Sequence, residues 1–213
     1  MKFKEINSQT IANEIEKFES KVDFEFIPVI AQQSSYTEHV GWGLSLILSI
    51  LFISIVEFVF AFFLYDSWKA KGMYFGLALV LAIILTRYLS RLDAVKRLFI
   101  SKHEKYRQVH EKAHMVFSKK RLQDIKSHNA LLLYISIMEK HIVLLPDPRI
   151  KVQNIKQITE ETLAILQQNF KKEDYEKGLI AAIEAIQTHL QDKFPRQGTA
   201  ENTVPNKLIW WQD

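Results

Sequence analysis

Two apolar runs, Gly41 to Tyr65 and Met73 to Leu89, are joined by the polar link Asp66-Ser67-Trp68-Lys69-Ala70-Lys71-Gly72. Nothing else in the chain restricts its fold as strongly. As a helix rising ~1.5 Å per residue the first run reaches about 38 Å, enough to cross a hydrocarbon layer of ~30 Å, and the second crosses if its end residues lie at the interface. The expectation is a transmembrane hairpin spanning residues 41–91. Foldable polar sequence lies on both sides of it, so the hairpin is expected to interrupt a domain rather than precede one. Residues 1–40 would supply its first part, a helix and a strand, and residues 92–213 a stem helix and the remainder.

Charge suggests an orientation. After Leu89 come Arg91, Lys96, Arg97, Lys102, Lys105 and Arg107, with Arg87 just before, whereas only Lys21 lies near the hairpin on its other flank. By the positive-inside rule the basic flank is cytoplasmic, and two spans return the N-terminus to the same side. The expected location is an inner or plasma membrane, with two spans and both termini cytoplasmic. The basic run reads as a helix face near anionic headgroups. No aromatic-interleaved platform for nucleic acid accompanies it. The expected partners are the bilayer and either a membrane protein or a second copy of the chain. Glu57, about two turns from Tyr65, is the one acid inside the first run; it reads as a protonated group hydrogen-bonded within the helix pair or across an oligomer contact, with an intramembrane functional site as the alternative.

With the hairpin set aside, about 160 residues remain, the size of one domain with a single core. Asn7 or Ser8 can cap a helix in which Ile11, Ile15 and Phe18 share a face. Phe24 to Ala31 is rich in strand formers, and Pro28, which cannot donate to a ladder, argues for an edge or a bulge. Leu92, Val95, Phe99, Tyr106, Val109, Ala113 and Val116 form the stripe of a stem helix. Ala130 to Met138 and His141 to Leu145 read as a hairpin of buried strands around Glu139-Lys140. Thr159–Phe170 and Glu173–Phe194 carry helical stripes, the latter with acids at its N-terminal end. Leu208-Ile209-Trp210-Trp211 is apolar enough to fold back on the domain. The fold class is α/β, a small mixed sheet of about three to four strands covered by helices.

Several stretches match one family. The strand Phe26-Ile27-Pro28-Val29-Ile30-Ala31, the entry Ser34-Ser35-Tyr36, Val109-x-x-x-Ala113-x-x-x-Phe117 and Asn129 to Ser136 resemble the membrane-bound branch of the TPM-domain family, as do Phe170 to Ile183 and Leu208-Ile209. The resemblance implies an α/β domain with roles that range from photosystem maintenance and acid-phosphatase activity to receptor-associated accessory work. The chain departs from the pattern where chemistry would sit. Ala130 stands where the family often has glycine, and Asn129, Asp147 and Arg149 are the candidate polar surface around the strand ends. No carboxylate cluster able to hold calcium or magnesium is visible in the sequence.

A competing motif is His110-Glu111-Lys112-Ala113-His114. On a helix its two imidazoles at i and i+4 would share a face and bind zinc, leaving Glu111 as general base. Lys112 puts a cation inside the motif, and Glu160 or Glu161 would have to supply a third ligand. No metal is assigned on this basis, and His110, Glu111 and His114 stand as an alternative. The chain has no cysteine, which excludes disulfides and thiol catalysis. Its six glycines, at 41, 43, 72, 76, 178 and 198, build neither a P-loop nor a dinucleotide-binding turn, so no cofactor is implied. The function expected is an accessory or regulatory interaction module with no assigned catalytic residue; a hydrolase, phosphatase-like or zinc-dependent, is the alternative.

Overall fold

The computed structural model describes residues 6–34, 38–63, 76–77, 79–85, 88, 101–120, 122, 129–196, 198 and 204–211. Two compact units emerge: residues 1–34 with 106–213, and the intervening residues 35–105.

The first unit is the α/β domain. Helix α1 (Ser8–Lys21) starts at Asn7, whose side chain accepts the Gln9 amide at 2.9 Å and satisfies one of the open donors of the first turn. Strand β1 (Glu25–Ala31) runs parallel to β2 (Ala130–Ser136), in register from Glu25↔Ala130 to Ala31↔Ser136. The two segments separated by the apolar runs are therefore neighbours in one sheet. Strand β3 (His141–Pro146) returns antiparallel to β2 through a turn in which Lys140 takes a positive φ of 52°. Strand β4 (Ile209–Trp211) lies parallel to β1, completing the order β3-β2-β1-β4. The tail expected to fold back does so as a strand. Pro28 is not at a sheet edge, but β4 covers only Val29 to Ala31, so at Pro28 the strand has a ladder partner on one side alone.

Alternation along the strands sends side chains to two cores. On one face Phe26, Ile30, Leu131, Leu133 and Ile135 pack against Ile11, Ile15 and Phe18 of α1, and against Leu166 of α4 (Ile155–Lys171) and Ile183 and Ile186 of α5 (Tyr175–Leu190). On the other, Ile27, Val29, Leu132, Tyr134 and Val143 meet Val109, Ala113, Val116 and Phe117. These belong to helix α3 (Lys102–Lys119), which realises the last part of the predicted stem; its upstream residues 89–100 lie outside the description. All seven residues of β1 and of β2 are buried, as expected of parallel strands covered on both faces. Gly178 lets α4 and α5 approach, because a Cβ there would stand 2.9 Å from the Asn169 Cβ and 3.0 Å from the Phe170 ring.

In the second unit α2 (Glu38–Phe63) is one helix of 26 residues. Beyond it Gly76, Leu77, residues 79–85 and Tyr88 are helical. Large apolar side chains stand exposed along both pieces, among them Leu46 (64%), Ile50, Ile55 and Phe58 (66%), then Leu77, Val80 and Ile84. Counting the described residues alone, no helix is long and apolar enough to cross a membrane, and the expected pair of spans is not found there. The link between the two runs, residues 78 and 86–87 and the side chains of α2 at 38–42, 44–45, 56–57 and 60–63, Glu57 among them, lie outside the described residues.

Candidate functional site

Polar groups gather at the two ends of the sheet. At the amino end of β1 and β2 lie the sequence-predicted Asn129, Asp147 and Arg149. Asp147 is fully buried just past β3, and its amide donates to the Ala130 carbonyl at 2.8 Å. Arg149 grips it in a fork, Nε to Oδ1 at 2.8 Å and NH2 to Oδ2 at 2.7 Å, while the Arg149 amide also donates to Oδ1 at 2.9 Å. Asn129 is buried and its Nδ2 donates to Asp23 Oδ1 at 3.3 Å. Both carboxylate oxygens of Asp147 are thus engaged by a guanidinium, a strong charge-assisted pair. Asp147 and Arg149 pair with each other, and Asn129 bonds to Asp23.

Against the start of β1 sits a residue that the sequence reading missed. Glu19, in the last turns of α1, is 3% exposed; its Oε1 accepts the Phe26 amide at 2.9 Å, and its Oε2 has no hydrogen-bond partner. Burial pushes its carboxyl up to about 7, helped by Glu25 and opposed by the Phe26 amide, Asn206 and Arg196. The available signal was spacing, since Glu19 lies four residues after Ile15 and so on the apolar stripe.

At the carboxyl ends of β1 and β2, where open α/β sheets commonly bind ligands, a second cluster forms. Ser34 Oγ lies 2.9 Å from the Tyr134 hydroxyl and donates to Ser136 Oγ at 2.8 Å. Ser136 Oγ in turn donates to Glu139 Oε2, which also accepts the Ser34 amide at 3.1 Å. All four residues are buried, so this network fastens the exit of β1 to the β2–β3 turn. Next to it, across the register pair Ser136↔His141, His141 faces α3. The ring of Tyr106 lies 4.2 Å from that of His110 and 5.2 Å from that of His141, and the two imidazoles are 6.3 Å apart.

The members of the H-E-x-x-H motif have different surroundings. His110 turns to Tyr106 and His141, His114 is exposed, and Glu111 is exposed and ion-paired with Arg107 at 2.6 Å. The third ligands considered for it lie elsewhere. Glu160 and Glu161 project from α4, which packs on the opposite core, and Glu161 is held by His189 at 2.6 Å. Among the described residues no group of three histidine or acid side chains is placed to hold a metal ion. Burial, then the neighbouring His141 and His114, holds His110 below the usual imidazole range; burial does the same to His141, against the pull of Glu139.

No curated protein matches the chain. The fold is similar to the NMR structure of the BA42 protein from the psychrophilic bacterium Bizionia argentinensis, with a TM-score of 0.55 over 99% of each chain at 14% identity. A family model described as the TPM domain matches residues 94–189, the part of the domain that holds β2, β3, α4 and α5 with most of the stem segment. The chain is thus similar to the TPM domain in the second part of its split α/β domain and, across nearly its whole length, has the fold of the BA42 protein.

Proposed function

We propose that the protein is held in a membrane by the hairpin Gly41–Leu89, and that its TPM-like domain stands on the cytoplasmic side as an accessory or regulatory module for a membrane complex. The observation that carries the reading is the exposure of large apolar side chains on every turn of α2 from Leu46 to Val59, continued at Leu77 to Leu85. A helix apolar over so broad a surface is stable in lipid or against apolar protein, and a patch of this extent is foreign to a solvated monomer. The sequence adds the lengths of the two runs and the basic flank after Leu89. For the domain, the engagement of Asp147 by Arg149 leaves the predicted polar corner self-neutralised, which favours binding work over phosphoester hydrolysis.

Washing membranes of the producing cell at high pH tests the anchor. The chain is expected to stay in the sedimented bilayer after an alkaline carbonate wash that strips peripheral proteins. Quantitative release into the supernatant would defeat the proposal. In detergent, the purified protein is expected to co-purify with a membrane-protein partner and to leave p-nitrophenyl phosphate intact.

A further inference from the structure

We infer that Lys119, Lys120 and Trp211 form a contact surface for anionic phospholipid headgroups, by which the α/β domain docks on the bilayer that anchors it; the inference rests on the membrane reading above. Lys119 ends α3, Lys120 follows it, and both are exposed. Their ammonium groups stand 5.6 and 5.9 Å from the centre of one ring, that of Trp211 in β4. The ring is partly buried against the α3-side core, which fixes it as a platform. Cations in a last helical turn suit the helix dipole. That preference does not account for two ammonium groups gathered on one indole, where like charges repel until an anion joins them. Among the described residues neither lysine has an ion-pair partner.

The place of the cluster in the fold adds to its chemistry. Trp211 pairs with Ala31, the last residue of β1, and the chain leaves this domain three residues later, after Ser34. It comes back at Tyr106, whose ring lies 5.2 Å from that of His141, the register partner of Ser136 at the end of β2. Departure, return and basic cluster thus share the carboxyl edge of the sheet. A domain tethered from that edge meets headgroups at high effective concentration, so contacts too weak to recruit a free protein suffice. Tryptophan settles at the headgroup level, and Trp210, 46% exposed, opens on the other face of β4. Lysines near an anionic cytoplasmic leaflet add an attraction that salt screens.

Because the chain has no cysteine, Ser118→Cys, an exposed position beside the lysines, can carry a single polarity-sensitive fluorophore. The full chain is reconstituted into vesicles of phosphatidylcholine alone or with phosphatidylglycerol added. A blue shift of the label is expected only with phosphatidylglycerol, reversed by high salt. Each lysine is worth about fivefold in the attraction, so Lys119→Gln combined with Lys120→Gln should abolish most of the shift. Lys177→Gln, on α5, should leave it unchanged, and equal melting of the double variant and its parent keeps the result independent of folding. A label that reads the same in both vesicles, on a chain that resists an alkaline wash, overturns the inference and leaves the anchor standing. Extraction of the chain from both vesicles overturns the anchor and the inference with it. The inference also falls if the double variant keeps the shift, or if inorganic phosphate or an oligonucleotide produces it on neutral vesicles.

Discussion

Replacing Glu19 by glutamine is expected to stabilise the folded domain by roughly 2–3 kcal/mol at pH 8 and to change it little at pH 5. The carboxyl titrates near 7 in the fold against an ordinary value of 4.5, because burial disfavours its charge. A group whose folded pKa is raised binds its proton more tightly in the folded state. Its stabilising contribution is therefore complete below about pH 4.5 and is lost as pH rises through 7. Glutamine keeps the oxygen that accepts the Phe26 amide and has no proton to lose. Hydrogen exchange of the β2 amides, read by mass spectrometry on the full chain, gives the opening free energy at each pH. The variant-minus-wild-type difference should grow from pH 5 to pH 8, and a difference that is flat across that range would refute the assignment.

Removing the charge at Arg149 carries the other large effect. Arg149→Met keeps the aliphatic stem but strips the fork from a carboxylate that is 0% exposed. An uncompensated buried charge costs about 3–5 kcal/mol, and the value expected here is about 3, since the guanidinium is itself half-exposed and water can reach part of the site. Adding Asp147→Asn should recover a large part of that loss, because the asparagine oxygen still accepts the Arg149 backbone amide without a charge to bury. The same exchange experiment on β2 and β3 measures both steps. A single variant as stable as the wild type would mean that the corner is solvated and that its pairing does not exclude a ligand.

Much of the fold is legible in residue spacing. The stripe of Ile11, Ile15 and Phe18 gives α1, the uninterrupted apolar run Ala130 to Ile135 gives a strand buried on both faces, and the pairing of the strand before Gly41 with those after Ser127 follows from the split arrangement. Four things were hidden for physical reasons. Strand β4 has three residues, too few for a periodic signal, and exists through its pairing with β1. Helical spacing puts His110 and His114 on one face, yet the local pattern holds no information on what α3 packs against. The meeting of His110 with His141 depends on the register of β3 against β2. Asp147 and Arg149 were visible as charges, but a turn that brings the Arg149 amide and guanidinium to one carboxylate is not readable two residues at a time. Glu19 shows the cost of treating an acid as a surface residue when its position belongs to the apolar stripe.

The anchor remains the central claim, and because the chain has no cysteine a single introduced thiol reports without background. Intact cells producing Ser67→Cys or Thr199→Cys are treated with a membrane-impermeant maleimide. The account predicts that Ser67→Cys in the link is labelled from outside while Thr199→Cys reacts only after lysis. Labelling of Thr199→Cys with Ser67→Cys protected would reverse the orientation, and protection of both until lysis would contradict a hairpin that crosses the membrane.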